Sequence, residues 1–171
     1  ILHGSFERDE DGLGIGLDFL PSSIRFNSKE WSFEPSELFY KNNDLDVKTF
    51  ALVSGNERIS IEGKASQEKA DTLNLNLEHF DISIVDHILK QDFGTKGLAT
   101  GTVQLTSPLK DKGILIDMIC DSTSFASTPL GILNIGSRWN DADKDFEIFV
   151  RNDLEGKNNI NAYGTLKPDG G

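Results

Sequence analysis

Apolar and polar residues alternate with a period of two through most of this chain, and no other feature restricts its fold as strongly. Leu73, Leu75 and Leu77 alternate with polar neighbours, and Ile59 and Ile61 repeat the pattern. Alternation of this kind places apolar side chains on one face of a strand and polar side chains on the other. It predicts antiparallel strands with one packed face and one wet face, because strands of a buried parallel sheet are apolar on both faces.

Clusters of Gly, Asn, Asp, Lys and Ser separate the alternating runs at the spacing of hairpins. The predicted strands lie at Gly14–Leu20, Ser23–Phe26, Trp31–Phe33, Leu45–Val53, Arg58–Ala65, Thr72–Phe80, Thr100–Thr106, Ile114–Cys120, Ile132–Trp139, Phe146–Arg151 and Asn159–Leu166. The expected fold is therefore all-β and antiparallel.

One segment departs from this pattern. Ser83 is followed three residues later by Asp86, as in a capping box, which satisfies the first free amides of a helix. Val85, Ile88 and Leu89 then share one helical stripe. We expect a short helix of about two turns that packs this stripe against the sheet, because so short a helix is not stable alone.

Glycine recurs inside the predicted strands. Gly63 and Gly164 each follow two alternating residues, and Gly101 is a weaker third copy. Glycine in a strand indicates a bulge, a bend or a close backbone approach. We therefore expect a curved sheet.

Length and charge limit the remaining possibilities. A chain of 171 residues matches one domain, so residues 1–171 are expected to form a single β-rich domain. The net charge of −11 and the lack of a basic patch argue against nucleic acid as a partner. Cys120, the only cysteine, excludes an internal disulfide and is expected to be a buried, inert thiol.

The only methionine is Met118, so the sequence starts without an initiator methionine. We expect this segment to be a fragment of a longer protein, either cut from it or matured by cleavage. No apolar run approaches the roughly 18 residues that a spanning helix needs. Any membrane anchor is therefore expected to lie outside the segment.

Motifs for catalysis, cofactors or metals are weak. Gly12, Gly14 and Gly16 resemble a phosphate loop, but the sequence after them continues as a strand. Asp141, Asp143 and Asp145 resemble the start of a calcium loop, but Phe146 and Asn152 replace its glycine and its last ligand. His3, His79 and His87 show no metal-ligand spacing. We expect no enzymatic activity, no cofactor and no metal.

The many one-sided strands leave an apolar face that one short helix cannot cover. The sheet must close into a sandwich or barrel, or curl into a groove whose lining stays available to a ligand. The residues expected to line this face are Ile59, Ile61, Leu73, Leu75, Leu77, Val103, Leu105, Ile114, Ile116, Met118, Ile148 and Val150.

The order of features resembles a known family. It comprises short strands before an Ile-x-Ile-x-Gly segment, a strand ending in Phe that leads into a short helix, a Gly-x3-Gly strand, a Leu-Gly segment and a closing Gly-x-Leu-x-Pro stretch. These lie at Leu17–Gly63, Leu73–Leu89, Gly97–Leu109, Leu130–Trp139 and Asn161–Pro168. They resemble the C-terminal domain of the TamB family, in the wider AsmA-like group.

This resemblance implies a domain of an inner-membrane-anchored envelope protein in the periplasm of diderm bacteria. Its fold would be a bent sheet with an apolar groove, called a β-taco. Its partners would be phospholipid acyl chains or unfolded outer-membrane protein strands, together with an Omp85-family outer-membrane protein. The implied function is phospholipid movement between the membranes, assembly of outer-membrane proteins, or both.

Two alternatives stay open. The first is a chaperone that pairs its exposed sheet edges with client β-strands. The second is a carbohydrate-binding β-sandwich, in which Trp31, Trp139 and Tyr163 would stack on sugars.

Overall fold

The computed structural model describes residues 2–9, 12–26, 29–66, 68, 70–106, 113–140 and 142–167. The strands are β1 Leu2–Asp9, β2 Gly12–Phe19, β3 Ser22–Phe26, β4 Lys29–Phe33, β5 Ser36–Lys41, β6 Asp44–Ser54, β7 Glu57–Ala65, β8 Thr72–Asp81, β9 Lys96–Thr106, β10 Gly113–Phe125, β11 Thr128–Asn140, β12 Asp145–Asp153 and β13 Asn161–Leu166, with one helix, α1 Ile84–Leu89, between β8 and β9.

All 13 strands belong to one sheet. Its path runs β1-β2-β5-β6-β7-β8-β9-β10-β11-β12-β13, and the β3–β4 hairpin joins it through a pairing of β4 with β6. The ends of the path are β1 and β13, so the sheet is open. The predicted all-β antiparallel fold with one short helix is confirmed.

The chain divides into two compact units. Unit 1 is Ile1–Asn76 with Gln104–Gly113, and unit 2 is Leu77–Val103 with Ile114–Gly171. Unit 1 therefore holds β1 to β7, and unit 2 holds α1 and β11 to β13. The interpretation of residues 1–171 as one domain stays a prediction.

Two proline interruptions lie side by side in unit 1. Pro21 separates β2 from β3, and Pro35 separates β4 from β5. Phe19 pairs with Ser36 before the interruptions, and Ser22 pairs with Phe33 after them, with no shift in the alignment of the two segments. The two interruptions therefore lie opposite each other. Proline lacks the N–H that a ladder needs, so both neighbouring strands are broken along the same line.

Serine hydroxyls repair these interruptions. Ser36 Oγ donates to the Glu34 carbonyl at 2.8 Å and accepts from the Ala51 N–H at 3.3 Å. Ser22 Oγ donates to the Leu20 carbonyl at 3.1 Å. Each X-Pro-Ser triplet thus breaks a strand while satisfying the backbone groups that the break exposes.

The predicted role of glycine holds at two of three positions. A Cβ on Gly63 would lie 2.2 Å from the Thr72 carbonyl oxygen, and one on Gly101 would lie 2.2 Å from the Asp117 carbonyl oxygen. Both glycines therefore permit a close backbone approach. Gly164 has no atom within 4 Å of its would-be Cβ, so its copy of the pattern does not mark a close approach.

The helix forms where it was predicted, but the capping-box interpretation was wrong. Ser83 is the N-cap residue and makes no side-chain cap hydrogen bond. Asp81 Oδ1 instead accepts from the Ser83 N–H at 3.0 Å, and the carboxylate of Asp86 bonds to Thr95. Val85, expected to pack on the sheet, is 41% exposed. The side chains of Ile88 and Leu89 lie outside the described residues.

Few large side chains are fully buried in the described part of the chain. The buried apolar residues are Trp31, Val47, Ala51, Ala65, Ala99, Cys120 and Phe146. Several of them are alanines, so most large apolar residues keep some contact with solvent. No helix among the described residues has the length and apolar character needed to cross a membrane.

Candidate apolar binding face

One face of unit 2 carries a continuous row of apolar side chains. Met118 of β10 pairs with Ile135 of β11, which pairs with Val150 of β12, which pairs with Ala162 of β13. Residues directly opposite in an antiparallel sheet share a face, so this row crosses four strands. Met118, Ile135 and Val150 are half-buried. We call the face that contains this row the apolar face of unit 2.

Neighbouring rows extend it. Leu133 pairs with Cys120 on one side, and Trp139 pairs with Phe146, itself opposite Leu166, on the other. Trp139 and Leu166 are 40% and 41% exposed. The face therefore has a buried end and an accessible aromatic end.

The polar groups on this face are occupied by internal hydrogen bonds. Ser137 Oγ accepts from the Ile116 N–H and donates to the Ile114 carbonyl, both at 2.8 Å. Asn152 is buried, and its amide donates to the Leu130 carbonyl at 3.0 Å while its oxygen accepts from two backbone N–H groups. These groups are committed to the protein, so they offer a ligand little polar recognition.

The opposite face of unit 2 is more polar. Arg138 and Glu147 form an ion pair of 2.6 Å, which lowers the pKa of Glu147 through the hydrogen bond from Arg138. The guanidinium of Arg151 lies 5.1 Å from the centre of the Phe149 ring. Hydrogen bonding from Arg151 lowers the pKa of Tyr163, which is 62% exposed. The two faces thus differ in part, because the opposite face carries these charged groups but also exposes Ile119 and Ile132.

Unit 1 carries an apolar face of its own, which is rich in aromatic residues. Ile59 pairs with Leu52, and Ile61 pairs with Phe50. Phe50 lies 5.3 Å from Phe19 and 5.9 Å from Phe33 between ring centres. All these side chains are half-buried. Edge-on aromatic contacts of this length stabilise the cluster beyond simple area burial.

The predicted lining residues divide between the units. Ile59 and Ile61 lie together on the apolar face of unit 1. Leu73 and Leu75 are half-buried in the same unit. Leu105, also in unit 1, is 36% exposed. In unit 2 the structure brings together Ile114, Ile116, Met118, Ile148 and Val150. Leu77 and Val103 are half-buried in the same unit.

Several members of these faces were not predicted. In unit 1 they are Phe19, Phe33, Phe50 and Leu52, and in unit 2 they are Leu133 and Ile135. Phe50 to Val53 is an unbroken apolar run, which hides the period of two. For Ile135, the alternation with Asn134 and Gly136 was a usable signal.

The remaining motifs show ordinary structural roles. Gly14 and Gly16 lie in β2, as predicted, and a Cβ on Gly14 would lie 2.8 Å from the Phe39 ring. Cys120 is buried, and burial raises the pKa of its thiol. Asp141 lies outside the described residues. Within the described ranges, no three His, Cys, Asp or Glu side chains are grouped to hold a metal ion.

The aromatic residues considered for sugar stacking do not share a platform. Trp31 is buried with 5% exposure. In unit 2, Trp139 contacts Phe146 edge-on at 4.8 Å and lies on the apolar face. Tyr163 pairs with Phe149 and therefore lies on the opposite face. This geometry gives the carbohydrate alternative no common surface.

Comparison of the chain with protein-family models, curated proteins and solved structures finds no significant match.

Proposed function

We propose that this chain is a non-enzymatic periplasmic domain of a TamB-like, inner-membrane-anchored envelope protein. In this proposal the apolar face of unit 2 guides phospholipid acyl chains between the inner and outer membranes. A role beside an Omp85-family protein in outer-membrane protein assembly belongs to the same proposal. The sequence resemblance motivates the family, and the apolar faces motivate the ligand.

The observation that carries the proposal is the Met118–Ile135–Val150–Ala162 row. Its side chains are only partly buried, and Ser137, the polar side chain in the adjacent row, is already hydrogen-bonded within the protein. Each methylene removed from water contributes about 0.8 kcal/mol. Hydrocarbon can therefore bind such a face without directed contacts and slide along it.

Adjacent positions on β10 provide a matched test. Met118 lies on the apolar face, whereas Ile119 lies on the opposite face and is 45% exposed. A photo-crosslinking amino acid at position 118 should capture acyl chains from phospholipid vesicles, and the same group at position 119 should capture about tenfold less. Equal capture at the two positions would contradict the proposal.

Charge substitution adds a second readout. Val150→Asp should abolish capture at position 118, because it places a carboxylate in the middle of the row. Arg151→Asp, one residue away on the opposite face, should leave capture unchanged. Far-UV circular dichroism of both variants checks that the sheet is intact.

A second candidate function is the addition of client β-strands to β13. All 6 residues of this strand are exposed, and its sequence contains no charged residue and no proline. Natural sheet edges are usually protected by lysine, proline or bulges. An unprotected edge of this kind favours strand addition.

Proline scanning separates the two candidates. Successive amides of a strand alternate between its two neighbours, so proline at either Ala162 or Tyr163 removes an amide from the free edge. Under strand addition, one of these variants loses cross-links to unfolded outer-membrane proteins while Val150→Asp keeps them. If only Val150→Asp loses these cross-links, the client binds to the apolar face of unit 2 and not to the edge of β13.

A further inference from the structure

A cavity of about 1030 Å³ opens in unit 2 beside α1 and the loop that leads to β9. This volume lies at the upper end of small-molecule sites, which are roughly 300 to 1,000 Å³. Its wall includes side chains of both charges, among them Asp86, Asp92, Lys90 and Lys96, together with His87 and Leu98.

The acidic side chains hold the wall of this cavity in place. Asp86 accepts from the Thr95 N–H at 2.9 Å and from the Thr95 hydroxyl at 2.5 Å. The hydrogen bond from the Thr95 hydroxyl lowers the pKa of Asp86, so this carboxylate stays ionised. Asp92 Oδ1 accepts from the Gly94 N–H at 3.1 Å, which leaves its second oxygen for another donor.

The side chains of the two lysines on the cavity wall, unlike the acidic ones, are not held by polar contacts with other described residues. In the part of the chain that the structure describes, Lys90 and Lys96 form no ion pair, whereas Lys48, Arg58 and Arg138 each contact a glutamate within 2.7 Å. The chain holds 28 acidic and 17 basic residues, so acidic partners are abundant. Two unpaired lysines on one cavity wall are therefore available to an anion.

We propose that this cavity binds a zwitterionic group in which a phosphate contacts Lys90 and Lys96 and an ammonium contacts Asp92. A simple anion would meet the carboxyl groups of Asp86 and Asp92, and a simple cation would meet the two lysines. A group that carries both charges can place its phosphate beside the two lysines and its ammonium beside Asp92. Such a group occurs in phospholipid headgroups and in soluble phosphoethanolamine compounds. The lipid source rests on the proposed function, whereas the charge pattern does not.

Soluble probes test the chemistry without any acyl chain. In a nuclear magnetic resonance titration of the whole chain, glycerophosphoethanolamine should shift the amide signals of Thr95, Lys96 and Ser122, which line the cavity. Inorganic phosphate and ethanolamine, each alone, should bind at least tenfold more weakly. Equal affinity for phosphate and for the zwitterion, or no shifts at these amides, would overturn the proposal.

Variants identify the groups involved. The double variant Lys90→Asn with Lys96→Gln should weaken binding of the zwitterion at least tenfold. Asparagine is chosen because Lys90 has φ +53°, which asparagine tolerates. Lys157→Gln with Lys167→Gln removes the same charge from exposed positions and should change nothing. Equal weakening in both double variants would point to net charge alone and reject the site.

Vesicle experiments distinguish the source of the ligand. If acyl chains are captured at position 118 without preference for phosphatidylethanolamine, and the soluble probe does not bind, the headgroup site fails while the proposed function stands. If the soluble probe binds as expected but no acyl chain is captured at position 118, the cavity serves a soluble ligand and the proposed function fails.

Discussion

At the scale of single residues, Asn152 has the most consequential hydrogen bonds in unit 2. It is 2% exposed, and its side chain holds three backbone groups. Its amide nitrogen donates to the Leu130 carbonyl, and its oxygen accepts from the N–H groups of Asn159 and Ile160 at 2.8 and 2.7 Å. One side chain thus ties the start of β11 to the segment before β13.

Replacing Asn152 with alanine should therefore destabilise the protein strongly. The substitution leaves three backbone groups without their partner. Those of Leu130 and Ile160 belong to half-buried residues, where an unsatisfied group costs about 1 to 3 kcal/mol, whereas the exposed Asn159 can bond to water. We expect the free energy of unfolding, measured with urea, to fall by about 2 kcal/mol or more. Asn158→Ala, at an exposed position nearby, is the control and should change it by under about 0.5 kcal/mol. Equal values for the two variants would show that the loop does not need this side chain.

The contact between Asp86 and Thr95 makes part of the stability depend on pH. Hydrogen bonding from Thr95 lowers the pKa of Asp86 in the folded protein. A carboxyl group with a lowered pKa stabilises the fold above its unfolded value of about 4, and this contribution disappears as pH falls through the folded value.

Thr95→Val removes the hydroxyl donor and keeps the shape of the side chain. It should lower the urea midpoint at pH 7, and the difference from the natural chain should shrink as pH falls below about 4. Thr128→Val, at an exposed position in unit 2, is the control. A difference that stays constant between pH 7 and pH 3 would mean that the hydroxyl acts independently of the carboxylate charge.

At the scale of elements, the interruptions of the strands matter as much as the strands themselves. β10 and β11 change register between Cys120 and Thr123, opposite Gly131. Gly131 has φ +77° and would place a Cβ 2.1 Å from the Asp153 carbonyl oxygen. The bulge and the close approach therefore coincide, and bulges bend the strands that contain them.

Two glycines with nearly the same backbone angle separate strain from crowding. Gly131 has φ +77° and Gly156 has φ +76°, but no atom lies within 4 Å of the would-be Cβ of Gly156. Gly156→Ala should cost about 1 to 2 kcal/mol for the left-handed backbone alone. Gly131→Ala should cost clearly more, because it also drives a Cβ into a neighbouring backbone. Similar losses in thermal unfolding would show that β12 yields at this position.

The alternation of residues was sufficient to predict most strands, because each of those strands has one apolar and one polar face. It missed β1 and β5. In β5 the run Leu38, Phe39 and Tyr40 has no alternation, since Phe39 lies over Gly14 on the face opposite Leu38. An aromatic ring over a glycine of the next strand depends on register, and a single sequence does not contain that information. The Gly136–Phe149 pair repeats this arrangement.

The candidate site was predictable only in part, because the register between neighbouring strands cannot be read from a single sequence. Met118, Ile148 and Val150 follow from alternation, and the same signal is present at Ile135, but only the pairing of β11 with β10 and β12 places Ile135 beside them. The cavity beside α1 was not predicted, because the carboxylate of Asp86 was assigned to helix capping instead of to Thr95. The capping-box rule considers only partners within the first turn of the helix. The actual partner of Asp86 is Thr95, which lies in the loop before β9.

At the scale of the whole molecule, the proposed lipid transfer would depend on the net charge of the chain, because a negatively charged protein is repelled by anionic membranes. The formal net charge is −11, and some of the basic groups are paired with carboxylates, as in Lys48–Glu37 and Arg58–Glu34. Surfaces of anionic lipids repel such a protein within a Debye length, about 8 Å at physiological ionic strength. An apolar face can take up a lipid chain only after this approach.

If the apolar face of unit 2 takes up phospholipid as proposed, the rate of lipid transfer should depend on vesicle charge and on salt together. At low ionic strength we expect fluorescent phospholipid to leave zwitterionic vesicles about tenfold faster than vesicles rich in anionic lipid, in the range that steering by net charge produces. The ratio should approach one as salt is raised to about 0.5 M, because screening removes the repulsion while hydrophobic binding to the apolar face persists. The double variant Lys157→Gln with Lys167→Gln makes the chain more negative, so it should increase the difference in transfer rate between zwitterionic and anionic vesicles at low salt. Faster transfer from anionic vesicles would contradict this prediction, because it would mean that the net charge of the chain does not control its approach to the vesicle.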